Sequence, residues 1–379
     1  MTKKELFSKL PKVKKTDKVI ILSHTDLDGS GAIIVANLVF NHCSYKHCSN
    51  ATMSDDIYSA IELINSDGEY NYDFLIATDI SVDAETAKLI DKHYGEYDNF
   101  IILDHHKTAL HLNEYDWAVV ETDLVEDSFR AKYYNEFIDY FKNIYKSDVN
   151  TSSMSSSGTS LFYDYLDYLD LINPDYDNSD LHSFVHEVAT YDTFDWQNFF
   201  NEKRESSKSV KLNNLFNAYG REMFEMRYTE HLRDSFTKLK GYYHNSDKFM
   251  RENNLVLSIM EEKKKGYLDR IKESGCIKSK LNYKGKEYSM AIILGGDYLP
   301  DVFNLMKQIC PSDIYAIIYY ANKREQVSLR SDTIDVSELA KEYDGGGHTA
   351  AAGFPIPKKI QDIYITGGIF RGNCTIVEE

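Results

Sequence analysis

Three short apolar runs each lead into acidic or histidine side chains: KVIILSHTDLDG, YNYDFLIATDIS and DNFIILDHHKTA. Helical patterns lie between them, GAIIVANLVF after the first and SVDAETAKLIDKHY after the second. Strands that alternate with helices run parallel, because each helix returns the chain to the same end of the sheet, and such a sheet is covered by helices on both faces. Ligands of parallel sheets sit beyond the carboxyl ends of the strands. The alternation therefore predicts an α/β fold in which Asp26, Asp28, Asp79, Asp104, His105 and His106 meet along one edge.

In SHTDLDGSG, residues 23–31, His24, Asp26 and Asp28 recur at every second position. Extended backbone would set all three on one face. Taken singly, an aspartate at a strand end is more often a helix cap or turn residue, and His105 with His106 could be a surface pair. Three strand ends carrying the same chemistry are harder to explain by capping. Such a set suits hard to borderline divalent ions, manganese or magnesium ahead of zinc, because carboxylate oxygens dominate. Asp79, alone at its strand end, is the best placed to bridge two ions, and a bridged pair can activate water and clamp a phosphoryl oxygen. Phosphoester hydrolysis is the chemistry expected.

A chain of 379 residues predicts about two domains. TSSMSSSGTS, residues 151–160, reads as a flexible loop that caps the helix LFYDYLDYLDLI. Residues 203–275, rich in Lys, Arg and Glu, read as long solvent-facing helices connecting two domains. KEYSMAIILGG and DIYAIIYYANKREQVSLRS read as strands of a smaller α/β domain. The expected boundaries are 1–202, 203–275 and 276–379. NHCSYKHCSN lacks zinc-ligand spacing and reads as a solvated helix-to-strand turn.

The formal net charge of −17 argues against a broad basic surface that tracks long nucleic acid. A small anionic ligand held by local cations, bound metal ions among them, is compatible with it. Five cysteines, an odd and scattered set, fit reduced thiols. With no apolar stretch long enough to cross a bilayer, the expectation is a cytoplasmic protein with no membrane partner. In VSLRSDTIDVSELAKEYDGGGHTAAAGF, Gly345, Gly346 and Gly347 let backbone amides approach an anion, Arg330 offers a bidentate grip on phosphate, and His348 a further hydrogen bond. A glycine C-cap before a packed alanine helix explains the glycines equally, without requiring Arg330 or His348.

HTDLDG, TD at 78–79, DHH at 104–106, the aspartate of ATYDTFDW, SLRS and GGGH follow one another over about residues 20–355. Together they resemble the DHH phosphoesterase superfamily with its DHH-associated C-terminal domain. The likeness is greatest to the oligoribonuclease (nano-RNase) and cyclic-nucleotide phosphodiesterase branch, with RecJ-type exonucleases as relatives. The resemblance implies an N-terminal DHH domain, a helical linker and a smaller C-terminal domain, with two manganese ions, or magnesium, in the cleft between domains. It implies that His24, Asp26 and Asp28 bind metal, Asp79 bridges, and His105 and Asp192 complete the second ion's shell. His106 would contact the scissile phosphate and Asp104 would orient a ligand histidine. Arg330, Ser331, Gly345, Gly346, Gly347 and His348 would hold the substrate's far phosphate or terminal nucleotide.

The implied activity is hydrolysis of short single-stranded oligonucleotides, dinucleotides included, to nucleoside 5′-monophosphates. Alternatives are a cyclic dinucleotide or 3′-phosphoadenosine 5′-phosphate as substrate, and a nucleotide-binding sensor or sponge without turnover. A homodimer is an open option. Other branches carry HxxPDxD, whose last aspartate falls at Ser30 in this chain, so which of Asp26 and Asp28 meets which ion stays open.

Overall fold

The computed structural model describes residues 1–49, 51–65, 72–132, 155–172, 179–195, 207–238, 248–321 and 324–356. Two compact units divide the chain, Met1–Ser258 and Ile259–Glu379. Five strands build the first sheet: β1 (Lys18–Ser23), β2 (His42–His47), β3 (Phe74–Thr78), β4 (Phe100–Asp104) and β5 (Ala118–Val120). All pair in parallel, in the order β2-β1-β3-β4-β5. Every residue of β3 and β4 is buried. That explains why these strands read as unbroken apolar runs rather than as an alternation.

Side chains of successive strand residues feed two different cores, because they point to opposite faces. Val19, Ile21, Phe74, Ile76, Ile101 and Leu103 join one core, while Leu22, Leu75, Ala77, Phe100 and Ile102 join the other. The first core is covered by α1 (Lys3–Phe7) and α2 (Leu27–Val39) and by later helices; the second by α3 (Met53–Ile64) and α4 (Ala84–Tyr94). Helices therefore lie on both faces, as the alternation predicts. The chain runs from β1 outward to β2 and then returns to the other side of β1 as β3. At the carboxyl ends of β1 and β3 the strand order thus reverses, leaving a crevice where parallel sheets bind ligands.

The later helices of the first unit are α5 (Gly158–Tyr168), α6 (Ser179–Asp192), α7 (Lys208–Tyr219), α8 (Arg221–Lys238), α9 (Lys248–Glu252) and the start of α10 (Asn254–Ser274). Ser157 caps α5 in a reciprocal pair with Ser160, as the serine-rich stretch predicts; residues 151–154 of that stretch lie outside the described residues. The reading of 203–275 as solvent-facing helices is corrected for α7, α8 and α9, whereas most of α10 is exposed or half-buried. Leu212, Leu215, Phe224, Tyr228, Leu232, Phe249 and Leu257 are buried in the same core as α2. The charged residues between them mask a stripe of apolar positions three or four apart. NHCSYKHCSN is likewise corrected: His42–His47 is the edge strand β2, not a turn. Its pattern is mostly exposed, so no apolar run announces it.

The second unit holds a mixed six-stranded sheet, with strands β6 (Ile277–Tyr283), β7 (Lys286–Leu294), β8 (Ile314–Ala321), β9 (Arg324–Arg330), β10 (Gly346–His348) and β11 (Ala351–Pro355) in the order β10-β11-β9-β8-β7-β6. Helices α11 (Leu299–Ile309) and α12 (Val336–Lys341) pack against it. The alanine run is strand β11, not a helix, paired antiparallel to β9 so that Ala351 stands opposite Arg330. Cys43, Cys48, Cys276 and Cys310 are free thiols, and no helix among the described residues is long and apolar enough to cross a membrane.

One buried carboxyl outside the strand ends has a measurable consequence. Asp164 on α5 is 2% exposed, and its Oδ1 has no hydrogen-bond partner among the described residues. Burial pushes its pKa up to about 8, with Lys3 opposing. A carboxyl with a raised folded pKa contributes fully below its unfolded pKa, and that contribution is lost as pH rises toward the folded one. Asp164→Asn is accordingly expected to raise the melting temperature, with a gain that grows from pH 5 to pH 8 and reaches about 1–3 kcal/mol. Melting curves across that range check it; a gain independent of pH contradicts it.

Candidate metal centre

The carboxyl ends of β1, β3 and β4 and the end of α6 deliver the clustered side chains, all within the first unit. The expectation that His24, Asp26 and Asp28 share one extended face is corrected. β1 ends at Ser23, Asp26 is the N-cap of α2 and accepts from the Gly29 amide at 3.1 Å, and Asp28 lies in the helix's first turn. Capping wins over strand extension because Gly29 folds back onto His24: a Cβ there would lie 2.2 Å from the His24 carbonyl oxygen. His24 and Asp26 consequently enter one group and Asp28 another.

Three sets of candidate ligand atoms lie within 4.8 Å of one another: His24, Asp26 and Asp79; Asp79, Asp104, His105 and His106; and Asp28, His105 and Asp192. Asp79 is common to the first two and His105 to the last two. Nε2 of His105 stands 3.1 Å from Asp79 Oδ1, 3.4 Å from Asp192 Oδ2 and 3.8 Å from Asp28 Oδ2. His24 Nδ1 is 2.7 Å from Asp26 Oδ2. Asp104 Oδ1 accepts from the His105 amide and lies 2.8 Å from Nδ1 of His106, so the histidine it orients is His106.

Each carboxylate is held by a specific support. Asp28 Oδ2 accepts from the Gly158 amide at 2.7 Å and Oδ1 from Thr159 at 3.1 Å, so the first amides of α5 hold an aspartate 130 residues away. Asp79 has a left-handed backbone, φ 60°, a conformation uncommon outside glycine but visited by aspartate. Its amide donates to Leu103 and Thr78 Oγ1 donates to the Gly158 carbonyl. Asp192 ends α6, and the residues beyond it are tied down by the fully buried Arg130, whose Nη2 is 2.7 Å from Asp195 Oδ2 while Nη1 donates to the Ser155 carbonyl.

Crowding of carboxylates dominates the electrostatics. Burial, reinforced by Asp28, Asp26, Asp192 and Asp104, raises Asp79 well above the ordinary carboxylate range. Burial and the charges of Asp28 and Asp26 do the same to Asp192, with His106 and Arg130 opposing. Asp104 goes the other way: burial would raise it, but the His106 hydrogen bond and charge lower it. The same bond raises His106 to about 9 against its own burial. His105 is lowered, chiefly by burial. Oδ2 of Asp79, Asp104 and Asp192 is buried without a hydrogen-bond partner among the described residues. Orphaned carboxylate oxygens, two shared residues and an imidazole flanked by three carboxylates form a donor set that fits divalent cations, which relieve like-charge repulsion as a proton otherwise would.

In the second unit, the Arg330 guanidinium lies 4.8 Å from the Phe303 ring centroid, and Nη1 donates to Leu329 O at 2.8 Å and Ser328 Oγ at 3.2 Å. Ser331 is buried, and its hydroxyl is committed to the turn, donating to Asp313 O and accepting from the Thr333 and Ile334 amides. A Cβ on Gly345 would lie 2.2 Å from the Gly353 carbonyl oxygen, and Gly347 has φ 139°. Gly346 faces open space and His348 ends β10. Composition and spacing gave no sign of Arg130 or Gly158, the first of which is buried beneath the residues after Asp192 and the second of which begins α5.

Residues 291–364 match the DHHA1 domain. The chain is 26% identical over 347 residues to the oligoribonuclease NrnB of Bacillus subtilis (strain 168), covering 91% of this chain and 74% of that protein. Among solved structures it is similar to the pGpG-specific phosphodiesterase PggH of Vibrio cholerae, at 12% identity and a TM-score of 0.43 over 94% of this chain and 99% of that one. It is also similar to RecJ of Thermus thermophilus in complex with Mn2+, at 12% identity and a TM-score of 0.41 over 94% and 51%. The DHHA1 match and the likeness to NrnB accord with the resemblance of the motifs to the DHH phosphoesterase superfamily. The matched segment falls within the second unit.

Proposed function

We propose that this protein is a divalent-metal-dependent phosphodiesterase that hydrolyses short oligonucleotides to nucleoside 5′-monophosphates, with manganese as the working ion. The convergence of His24, Asp26, Asp28, Asp79, His105 and Asp192 into sets that share Asp79 and His105 carries this reading. Similarity to NrnB supports the substrate class. In this reading those six residues would hold divalent cations, Asp79 and His105 serving more than one set, and the bound metal would supply an activated water and a clamp on the phosphoryl oxygen. The rest falls to the protein. Asp104 holds His106 by its Nδ1 and keeps it protonated, so that its free edge can donate to a non-bridging oxygen of the scissile phosphate. Arg330 and the amides around Gly345, Gly346 and Gly347, with His348, bind the substrate's other phosphate or terminal nucleotide.

The test is turnover of a labelled dinucleotide by the purified chain with Mn2+, Mg2+ or EDTA, with longer oligonucleotides, cyclic dinucleotides and 3′-phosphoadenosine 5′-phosphate as competitors. Monophosphate release from the dinucleotide with Mn2+, abolished by EDTA, is expected. Preferred turnover of a competitor reassigns the substrate, and retention without product reassigns the protein as a sponge. In the same assay Arg330→Ala is expected to raise KM about 10- to 100-fold and to change kcat less, the loss of a charged hydrogen bond to a non-reacting phosphate. An unaltered KM removes Arg330 from the binding set.

A further inference from the structure

Behind His24 lies a polar connection that joins three elements distant in sequence. Ser30 Oγ on α2 donates to Glu225 Oε1 on α8 at 2.7 Å. His47, the last residue of β2, has Nδ1 2.6 Å from the carbonyl oxygen of His24, and its Nε2 lies 2.8 Å from that same Glu225 oxygen, close enough for charge pairing but without hydrogen-bond direction. The side chains of His47 and Glu225 are 7% and 3% exposed. Placing an acidic side chain in a helix whose Phe224 and Tyr228 join the core is costly unless partners compensate it. Only one of its oxygens has a partner among the described residues.

A group so costly to bury is informative through what it holds. The His24 carbonyl is already closed off on one side by Gly29, and His47 grips it from another. The backbone that carries the first histidine of the cluster is therefore fixed from two directions. We propose that His47 and Glu225 are positioning residues that set the backbone of His24, and through it the imidazole, in the geometry a divalent cation needs, with Ser30 completing the connection. This rests on the reading of His24 as a metal ligand. Groups that orient a ligand from behind commonly govern metal affinity by about 10- to 100-fold without touching the ion.

A merely structural role would move stability alone, so the experiment measures metal binding at matched folding. Full-length His47→Leu, Glu225→Leu and Glu225→Gln are titrated with Mn2+ by the electron paramagnetic resonance of the free ion, alongside melting curves in EDTA and dinucleotide kinetics. The leucine variants are expected to bind Mn2+ about 10- to 100-fold more weakly, to lose kcat at limiting Mn2+ and regain it at saturating Mn2+, with KM unmoved. Glu225→Gln keeps the acceptor for Ser30 but removes the charge that faces His47, and is expected to recover part of the affinity. Should the leucine variants fail to fold, His47→Gln, which can reach only one of the two partners, carries the test with a loss of about fivefold. Asp164→Asn serves as a buried control with wild-type affinity. Folded variants at wild-type Mn2+ affinity overturn the inference alone, whereas wild-type protein that binds no Mn2+ overturns the underlying reading and the inference with it.

Discussion

Asp79→Asn is expected to reduce dinucleotide turnover by about 10³-fold or more, the largest loss of any single substitution in the cluster. Asparagine keeps the shape and tolerates the left-handed backbone, so the change isolates the charge. The same substitution is expected to stabilise the metal-free protein. Burial and four neighbouring carboxylates raise the folded pKa of Asp79. A raised carboxyl contributes fully only below its unfolded pKa and loses that contribution as pH rises toward the folded value. At neutral pH the native state therefore bears a penalty that asparagine removes, by about 1–3 kcal/mol. Melting in EDTA and turnover with Mn2+ should move in opposite directions; unchanged turnover would remove Asp79 from the proposed metal set.

Gly158→Ala is expected to damage folding and activity together. A Cβ at that position would lie 2.4 Å from Asp79 Cβ and 2.8 and 2.9 Å from its Cα and N. Backbone atoms cannot move aside as a flexible side chain would, so α5 must retreat. Retreat pulls the Gly158 and Thr159 amides away from Asp28 and disturbs the Asp79 turn at once. The expected loss is about 1–3 kcal/mol or more, with turnover falling at least about tenfold in the surviving native protein. Gly266→Ala is the contrast. It lies within α10, where a Cβ meets only Arg270 Nη1 at 3.8 Å, and alanine should be neutral or stabilising by about 0.5–1 kcal/mol. Urea midpoints for the two variants check both; equal midpoints would contradict the close approach.

Local chemistry made part of the molecule legible in advance. Unbroken apolar runs mark β1, β3 and β4 because both faces of those strands are covered, and the polar residues that end each run stand at the ligand-binding end of a parallel sheet. His24, Asp79 and the pair His105 and His106 were readable for that reason. β2 was not, because an edge strand with exposed side chains carries no hydrophobic signature. The helices from 208 onward looked solvated because their charged residues outnumber a narrow buried stripe.

By itself, then, the order of residues determined the alternation of strand and helix, and hence which side chains stand at the carboxyl edge of the sheet. Tertiary structure alone decided how they divide. Competition between strand extension and helix capping sent Asp26 and Asp28 into different groups, settled by the approach of Gly29 to His24. The α5 amide that holds Asp28, the α8 carboxylate that accepts from Ser30 and the guanidinium that holds Asp195 come from 130, 195 and 65 residues away from the groups they hold. Such supports are chosen by packing and by the need to compensate buried charge, neither of which leaves a periodic mark along the chain.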